Sequence, residues 1–307
     1  MKRIILIVAL TLLMSLGIAQ PLTRAYVQRD TCELYLDVYK PSNGNGYTVI
    51  FVFGGGFIMG ARDAKDYLPY YQKLNEQGYT VVAIDYRLGL KGVDTRGAKI
   101  VNALDHAIQL ATEDLLAATR YLIEHAAELN IDPQKIILSG SSAGAITVLQ
   151  ADYELCNRTP LAAILPSDFH YAGVISFAGA IYSHNGAPKY TEQPAPTFIM
   201  HGKEDNLVTY KSIRFGKLGF FGAKPLIKSF QKHDYPYMAY RYEGLGHEVA
   251  GLMLHNSDIT DWFIQQYVVN KQHKQIDADI LDKNVKHWYW GKIKASKIYG
   301  KKDKNKE

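Results

Sequence analysis

A serine flanked by small residues lies near the middle of the chain, in the stretch GSSAG at residues 140–144. The apolar run at 136–138 precedes it and a helix-forming stretch follows. A strand, Gly-x-Ser-x-Gly and a helix are together typical of a strained turn that exposes the serine hydroxyl, and its glycines are needed because strand and helix approach too closely for a Cβ. The pattern alone is common by chance, but these flanks favour Ser142 as a nucleophile over a flexible turn. Ser141 is out of register and is interpreted as a local hydrogen-bonding serine.

A nucleophilic serine needs a base to remove its proton, and the base needs a carboxylate to orient it. Of the ten histidines, His247 lies in GLGHEVAG, on a glycine-containing loop that can reach back over the sheet. His255 falls on or beside the following helix and His201 lies at a strand end, so both are interpreted as structural. Glu204 and Asp205, in HGKEDNLV, both satisfy the chain order serine, acid, histidine.

The tetrahedral intermediate of acyl transfer needs hydrogen-bond donors for its oxyanion. FGGGF at residues 53–57 follows an apolar run, and its glycines let backbone N–H groups face a carbonyl oxygen without side chains in the way. Gly55 and Gly56, together with Ala143, are the predicted donors. A phosphate-binding loop is disfavoured because neither GxxxxGK[ST] nor GxGxxG with its acidic follow-up is present.

The elements that must position these residues alternate along the chain. Predicted strands lie at 31–40, 47–53, 79–84, 135–138, 172–179, 196–200 and 237–243. Predicted helices lie at 112–129, where apolar residues recur every three or four positions, and at 145–155 and 257–268. This alternation predicts a single α/β domain with a mostly parallel sheet and helices on both faces.

Five motifs occur in a fixed order between about residues 34 and 268: FGGGFIMG, AIDYRL, ATEDLLAATRYL with NIDPQKIILSGSSAGA, HGKEDNLV and GLGH. Together they resemble the α/β-hydrolase carboxylesterases of the hormone-sensitive-lipase type and the bacterial feruloyl or acetyl esterases. The resemblance implies an α/β-hydrolase fold, hydrolysis of carboxylic esters through an acyl-serine intermediate, and no metal or organic cofactor. It favours Asp205 over Glu204 as the acid.

One position departs from the family pattern. Phe53 stands where the family usually has a histidine before the glycine run. Backbone N–H groups do not depend on that side chain, so the oxyanion hole is expected to survive. About a dozen residues separate Gln20 from the first predicted strand, which argues against a large N-terminal cap and favours an open site. Residues 91–110 have the length for a flap, although an ordinary surface helix and loop is favoured.

The first residues have the pattern of a secretory signal peptide. Lys2 and Arg3 precede an apolar stretch from Ile4, and the small Gly17 and Ala19 suit cleavage before Gln20. The apolar stretch is shorter than the ~20 residues of a spanning helix, so cleavage and export are favoured over a membrane anchor. A secreted or periplasmic protein is therefore expected, with residues 1–19 removed, a catalytic domain over 20–270 and no stable membrane insertion afterwards.

The charge lies at the ends of the chain. Residues 271–307 carry eleven lysines against five acidic residues, whereas residues 20–270 have a net charge of −3, so a nucleic-acid partner is not expected. We expect a basic C-terminal tail, disordered or loosely attached after Ser296, with Trp288, Tyr289 and Trp290 docking it onto the domain rather than binding glycans or a membrane surface. The loop at 210–222 offers aromatics for an acyl or aryl group, or for the core.

The expected function is hydrolysis of short-chain or carbohydrate-linked acetyl or feruloyl esters, with a small-molecule or carbohydrate ester as the partner. A serine peptidase of the prolyl-oligopeptidase type shares the residue order, but a propeller-sized domain is absent and small residues flank Ser142. A non-catalytic binding protein on this scaffold is expected to lack a member of the triad. Cys32 and Cys156 indicate nothing about mechanism, and two separate thiols are at least as compatible with the sequence as a disulfide.

Overall fold

A computed structural model describes residues 20–287 and 291–299. The strands in this part of the chain are β1 (Leu22–Gln28), β2 (Glu33–Tyr39), β3 (Thr48–Val52), β4 (Thr80–Ile84), β5 (Ile136–Ser141), β6 (Gly173–Phe177), β7 (Ile181–Ser183), β8 (Thr197–Gly202), β9 (Ser212–Phe215), β10 (Leu218–Phe221), β11 (Tyr237–Tyr242) and β12 (Gln275–Ile280). Nine of them form one sheet in the order β1-β2-β4-β3-β5-β6-β8-β11-β12. Eight of the nine strands run in the same direction, and β2 runs in the opposite direction. The other three form a small antiparallel sheet, β7-β10-β9.

Helices cover both faces of the large sheet. Those described are α1 (Leu68–Glu76), α2 (Lys99–Glu124), α3 (Ala126–Leu129), α4 (Ala143–Cys156), α5 (Ala223–Lys232), α6 (Ser257–Phe263) and α7 (Ala295–Tyr299). α1 connects β3 to β4 on one side, and α4 connects β5 to β6 on the other. Because such crossovers are right-handed, α1 and α4 lie on opposite faces. α6 packs beside α1, and α2 packs beside α4. The predicted mostly parallel sheet with helices on both faces is confirmed.

The central strands are continuous apolar runs because helices exclude water from both of their faces. Every residue of β3 and of β5 is buried. β5, β8 and β11 run parallel, so their carboxyl ends meet at one edge of the sheet. The loops that contain Ser142, Asp205 and His247 follow these three strands, and the topology therefore gathers distant parts of the sequence at that edge.

The helix predicted from residue 112 begins thirteen residues earlier, at Lys99. Its first turns are exposed or half-buried, and Ile100, Val101 and Leu104 face a surface cavity rather than the sheet. The predicted start was wrong because the apolar spacing that faces the core begins only at Ala107. Residues 91–98 form a loop, so the segment 91–110 is part loop and part helix.

The region 271–307, predicted as a tail, adds two elements to the domain. β12 pairs in parallel with β11 at the edge of the sheet, where its residues are exposed or half-buried and its sequence QIDADI is correspondingly polar. α7 includes Lys297, Ile298 and Tyr299, for which a disordered or loosely attached end was predicted, and that expectation was wrong. The Thr95 hydroxyl donates a hydrogen bond to the Tyr299 carbonyl oxygen, which fixes the end of this helix. Residues 288–290, predicted to dock the tail, and residues 300–307, the rest of the end predicted to be disordered or loosely attached, lie outside the described residues.

The last predicted helix, the two cysteines and the N-terminal segment can also be compared with their predictions. The helix predicted at 257–268 is α6 followed by a π-helical segment, Ile264–Val269. Cys32 is half-buried, Cys156 is buried, and both are free thiols. The predicted signal peptide, residues 1–19, lies outside the described residues. Within residues 20–287 and 291–299, no helix is long and apolar enough to cross a membrane.

Candidate active site

Ser142 occupies a sharp turn between β5 and α4. Its backbone has φ 54° and ψ −115°, which a residue with a side chain adopts only under strain. A Cβ on Gly140 would lie 2.3 Å from the Gly144 carbonyl oxygen, and a Cβ on Gly144 would lie 2.0 Å from that of Val52. Both positions therefore require glycine because strand, turn and helix are in direct backbone contact. The turn presents the Ser142 side chain, which is half-buried, to the cavity described below.

Ser142, His247 and Asp205 form a continuous chain of hydrogen bonds. Ser142 Oγ lies 2.7 Å from His247 Nε2, and His247 Nδ1 lies 2.8 Å from Asp205 Oδ2. Because a carboxylate only accepts hydrogen bonds, His247 donates from Nδ1, and the Ser142 hydroxyl is the donor to its Nε2. His247 and Asp205 are both buried, so water does not compete for this pairing.

Asp205 is held as a carboxylate by its surroundings. Its Oδ1 accepts the backbone N–H groups of Leu207 at 2.9 Å and Val208 at 3.0 Å. Burial alone raises the pKa of this carboxyl, but the charge of His247 and hydrogen bonds from His201 and His247 outweigh it, and the pKa lies well below its usual value. Asp205 is therefore ionised and able to orient the imidazole.

His201 is a structural partner of the acid. It is completely buried, and its Nε2 donates to the Val208 carbonyl oxygen at 2.9 Å while lying 3.4 Å from Asp205 Oδ2. Glu204, the alternative acid, is exposed and forms an ion pair with Lys292. His255 is not part of this hydrogen-bonded chain, since its Nε2 pairs with Asp282 at the surface. The geometry thus selects Asp205 and His247 from the candidates.

The glycine run after β3 forms the loop opposite the serine. The Gly54 N–H donates to the Tyr67 hydroxyl at 3.0 Å, whereas no acceptor is present among the described residues for the N–H groups of Gly55, Gly56 and Ala143. Gly55 and Gly56 have φ of 124° and 65°, a region that only glycine enters without strain. Gly56 and Ala143 line the cavity beside Ser142, and Gly55 immediately precedes that wall.

A cavity of about 420 Å³ opens in front of Ser142. Its walls are mostly apolar and come from seven regions: the glycine loop, the first turns of α2, the start of α4, β7, the loop after Asp205, the β9–β10 hairpin and the C-terminal residues Ala295 and Tyr299. The loop at 210–222, predicted to serve either a substrate or the core, contributes Ile213, Phe215 and Phe220 to this wall. Ile213 and Phe215 are 66% and 88% exposed, so these side chains serve the mouth of the cavity rather than the core.

Part of the chain is similar in sequence to known esterases. Residues 36–159 match the family model BD-FAE. Ethyl acetate hydrolase of Pseudomonas putida is 28% identical over 139 residues, which are 44% of this chain and 39% of that protein. Esterase LipI of Mycobacterium tuberculosis is 32% identical over 104 residues, which are 34% of this chain and 28% of that protein. The chain thus spans well under half the length of these curated relatives.

A solved structure extends the likeness to most of the chain. The thermophilic esterase Est2 of the Planctomycetes species Thermogutta terrifontis matches with a TM-score of 0.61 at 22% identity, over 80% of this chain and 92% of that one. The chain has the α/β-hydrolase fold. The resemblance to carboxylesterases that five motifs indicated is confirmed by these esterase matches.

The residue that departs from the family pattern is accommodated by packing. The Phe53 ring is buried and stacks on Tyr86, with 4.4 Å between ring centroids. The Tyr86 hydroxyl donates to the Phe53 carbonyl oxygen at 3.0 Å, next to the glycine run. The AIDYRL motif thereby supports the glycine loop, and its Arg87 binds the buried Asp114 of α2. An aromatic pair holds the loop where the family usually has histidine.

Two hydrogen bonds support the histidine loop, and the sequence analysis predicted the partners of neither. The Glu248 carboxylate is buried and accepts the Gly246 N–H at 2.7 Å, next to His247. Ser141 Oγ donates to the Ala250 carbonyl oxygen at 2.7 Å and ties the end of β5 to the same loop. An acidic residue directly after the histidine was the one available sequence signal. The contact of Ser141 joins residues that are 109 positions apart, so the local partner expected for this serine was wrong.

Proposed function

We propose that this α/β hydrolase is a carboxylesterase that acts through an acyl-serine intermediate. The observation that carries the proposal is the hydrogen-bonded chain from Ser142 through His247 to the ionised Asp205, at the end of a mostly apolar cavity. The matches to esterases over part of the chain point to the same chemistry. A hydroxyl, an imidazole and a carboxylate in this order are the groups that acyl transfer requires.

The proposed reaction has two steps. His247 Nε2 takes the proton from Ser142 as Oγ attacks the ester carbonyl, and the carbonyl electron pair becomes an oxyanion held by the N–H groups of Gly55, Gly56 and Ala143. Collapse expels the alcohol, which receives the proton from His247. Water then attacks the acyl-serine with His247 again as base, releasing the carboxylic acid. Asp205 remains ionised throughout and stabilises the imidazolium.

The substrates we propose are short-chain esters, including acetyl or feruloyl groups carried on carbohydrate. A polar groove of about 450 Å³ adjoins the catalytic cavity, and Tyr182 lines both. Asp105, Gln109 and Asn157 line this groove, and such side chains suit the hydroxyls of a sugar alcohol. The Tyr182 hydroxyl is buried with no hydrogen-bond partner among the described residues, so a polar substrate group would satisfy it.

Export is part of the same proposal. The basic start and the apolar stretch before Gln20 support cleavage of a signal peptide and a secreted or periplasmic location. Fractionation of cells that express the full chain, with mass spectrometry of the mature N-terminus, tests this point. A mature protein that begins at or near Gln20 outside the cytoplasm is the expected result, whereas retention of Met1 in the cytoplasmic fraction would contradict export.

The first experiment measures hydrolysis of p-nitrophenyl acetate, butyrate and octanoate by the chain lacking residues 1–19. Ser142→Ala removes the proposed nucleophile, and we expect kcat to fall by at least about 10⁴-fold, since loss of such a serine removes the whole covalent route. Ser42→Ala, at an exposed serine outside the site, is the control and is expected to keep most of the turnover. Full activity of Ser142→Ala would refute the proposal. Turnover of peptide anilides without ester hydrolysis would point to the peptidase alternative.

A further inference from the structure

Residues 291–299, here called the C-terminal strap, lie across the loops that hold the base and the acid. The Gly291 carbonyl oxygen accepts the backbone N–H of His247 at 2.7 Å. Lys292 Nζ lies 2.5 Å from Glu204 Oε2, one residue before Asp205. The strap therefore contacts the backbone of the proposed base and the surface neighbour of the proposed acid.

The same strap continues along the acid loop to the glycine loop. The Ala295 N–H donates to the Asn206 carbonyl oxygen at 3.4 Å, one residue after Asp205. At the other end of the strap, the Tyr299 hydroxyl donates to the Gly56 carbonyl oxygen at 3.4 Å. A short segment remote in sequence thus contacts all three loops that surround Ser142.

Tyr299 is placed to limit the size of the cavity. Its side chain lines the cavity beside Gly56, and a Cβ on Gly56 would lie 2.9 Å from its hydroxyl oxygen. Burial raises the pKa of Tyr299 to about 12, so the phenol is neutral and donates its hydrogen bond at neutral pH. Thr95, in the loop before α2, binds the Tyr299 backbone and holds the ring in this position.

We propose that the C-terminal strap is a positioning element of the active site, and that Tyr299 determines how large a group the cavity accepts beside the oxyanion loop. This inference rests on the proposed esterase function. Gly291 orders the base through its carbonyl group, whereas Tyr299 bounds the space into which an acyl or alcohol group must fit. The two residues therefore have separable effects, one on kcat and one on the size dependence of kcat/KM.

Residue 291 must be a glycine for the strap to keep its position. A Cβ at this position would fall 1.8 Å from the Glu248 carboxyl carbon, inside the group that accepts the Gly246 N–H. Any side chain at residue 291 must therefore displace the strap or the segment around His247. Either displacement alters the hydrogen bond that the Gly291 carbonyl oxygen receives from His247.

Tyr299 is tested with two ester series in the full-length mature protein. One series varies the acyl group as p-nitrophenyl acetate, butyrate and octanoate, and the other varies the alcohol as methyl, butyl and benzyl acetate. Tyr299→Ala is expected to raise the preference for the largest member of at least one series by about fivefold or more, because each methylene admitted to an apolar pocket changes kcat/KM by about tenfold. Tyr299→Phe keeps the ring and is expected to keep the wild-type ratios.

Ile298→Ala is the matched control, since Ile298 lies on the same helix and is absent from the residues that line the cavity. Ratios that stay within about twofold of wild type in both series for Tyr299→Ala would overturn the role of Tyr299. A change of the same size in Ile298→Ala would also overturn it, because the effect would then follow from loss of the helix rather than of the ring.

Gly291→Ala tests positioning. We expect kcat to fall by about tenfold or more with little change in KM, together with slower labelling of Ser142 by a fluorophosphonate followed by mass spectrometry. The melting temperature, measured in parallel, separates this effect from unfolding. Wild-type kcat and labelling rate in a folded Gly291→Ala variant would overturn the positioning role. If the wild-type protein neither hydrolyses esters nor is labelled at Ser142, the proposed function itself fails. Active wild-type protein with unchanged variants refutes only the strap.

Discussion

The two sides of the cavity beside Ser142 consist of different parts of the fold. On the inner side, Ser142 sits where strand, turn and helix touch through their backbones, so that Gly140 and Gly144 have no room for a Cβ. On the outer side, the wall consists of side chains from the start of α2, the β9–β10 hairpin and the C-terminal strap. Phe215 in that hairpin is 88% exposed. Buried backbone contacts therefore fix the inner side, whereas side chains from peripheral elements form the outer side.

This difference suggests separate roles for the two sides: the inner side holds the reacting groups, and the outer side determines which esters fit. A backbone contact cannot relax without moving a buried strand, so the proposed nucleophile and oxyanion donors are held to a narrow geometry. Exposed side chains on a hairpin or a short helix can change without cost to the core. We therefore expect substitutions on the inner side to abolish turnover, and substitutions on the outer side to alter which esters are turned over.

The largest expected effect is at Gly144. Gly144→Ala places a methyl group 2.0 Å from the Val52 carbonyl oxygen and forces α4 away from β3. Because a displacement of about 1 Å at a catalytic group costs about 10²-fold, we expect at least that loss of kcat, with a lower melting temperature. Steady-state kinetics and thermal unfolding measure both. Gly44→Ala is the control, since its added Cβ meets nothing closer than 3.7 Å. A fully active Gly144→Ala variant would show that the inner wall is not rigid.

The next effect concerns the acid. Asp205→Asn removes the charge that orients His247 and stabilises the imidazolium, and we expect kcat to fall by about 10³- to 10⁴-fold on short esters. KM should change little, because Asp205 does not line the cavity. Glu204→Gln, at the exposed neighbouring position, is expected to cost far less. Equal losses in the two variants would contradict the assignment of Asp205.

A pH-dependent effect on folding stability is expected in α4, the helix that follows Ser142. Burial raises the pKa of Asp152, on α4, to about 7, despite hydrogen bonds from the Ala195 backbone and Cys156 that lower it. The folded state then binds a proton that the unfolded state releases above about pH 4, so this residue lowers stability increasingly as pH rises from about 4 to 7. Asp152→Asn should remove that loss and raise the melting temperature at pH 8 more than at pH 5. A difference that is the same at both pH values would contradict this sign.

The smallest effect is expected at the outer rim. Phe215→Ala removes an exposed ring from the cavity mouth, and we expect KM for p-nitrophenyl octanoate to rise by about threefold to tenfold, while the acetate ester is unaffected. Leu281→Ala is the matched control, because Leu281 is also exposed but does not line the cavity. A loss of acetate turnover in Phe215→Ala would contradict the expectation that the outer wall affects only the choice of ester.

Much of the inner side was predictable because its constraints are local. The GSSAG turn, the glycine run and the continuous apolar strands each encode their conformation within a few residues. The outer side was predicted less well. β12 and α7 were missed and α2 was begun too late, because elements at an edge or at a cavity do not carry the apolar spacing of a core-facing element.

The sequence by itself determined the α/β class, the order of seven of the twelve described strands and a short set of candidates for nucleophile, base and acid. It did so because backbone conformation and burial leave periodic patterns in neighbouring residues. Only the tertiary structure decided that Asp205 rather than Glu204 faces His247, and that residues 291–299 lie against the catalytic loops. Those choices depend on which distant segments meet at one edge of the sheet, and contacts between distant segments leave no local pattern.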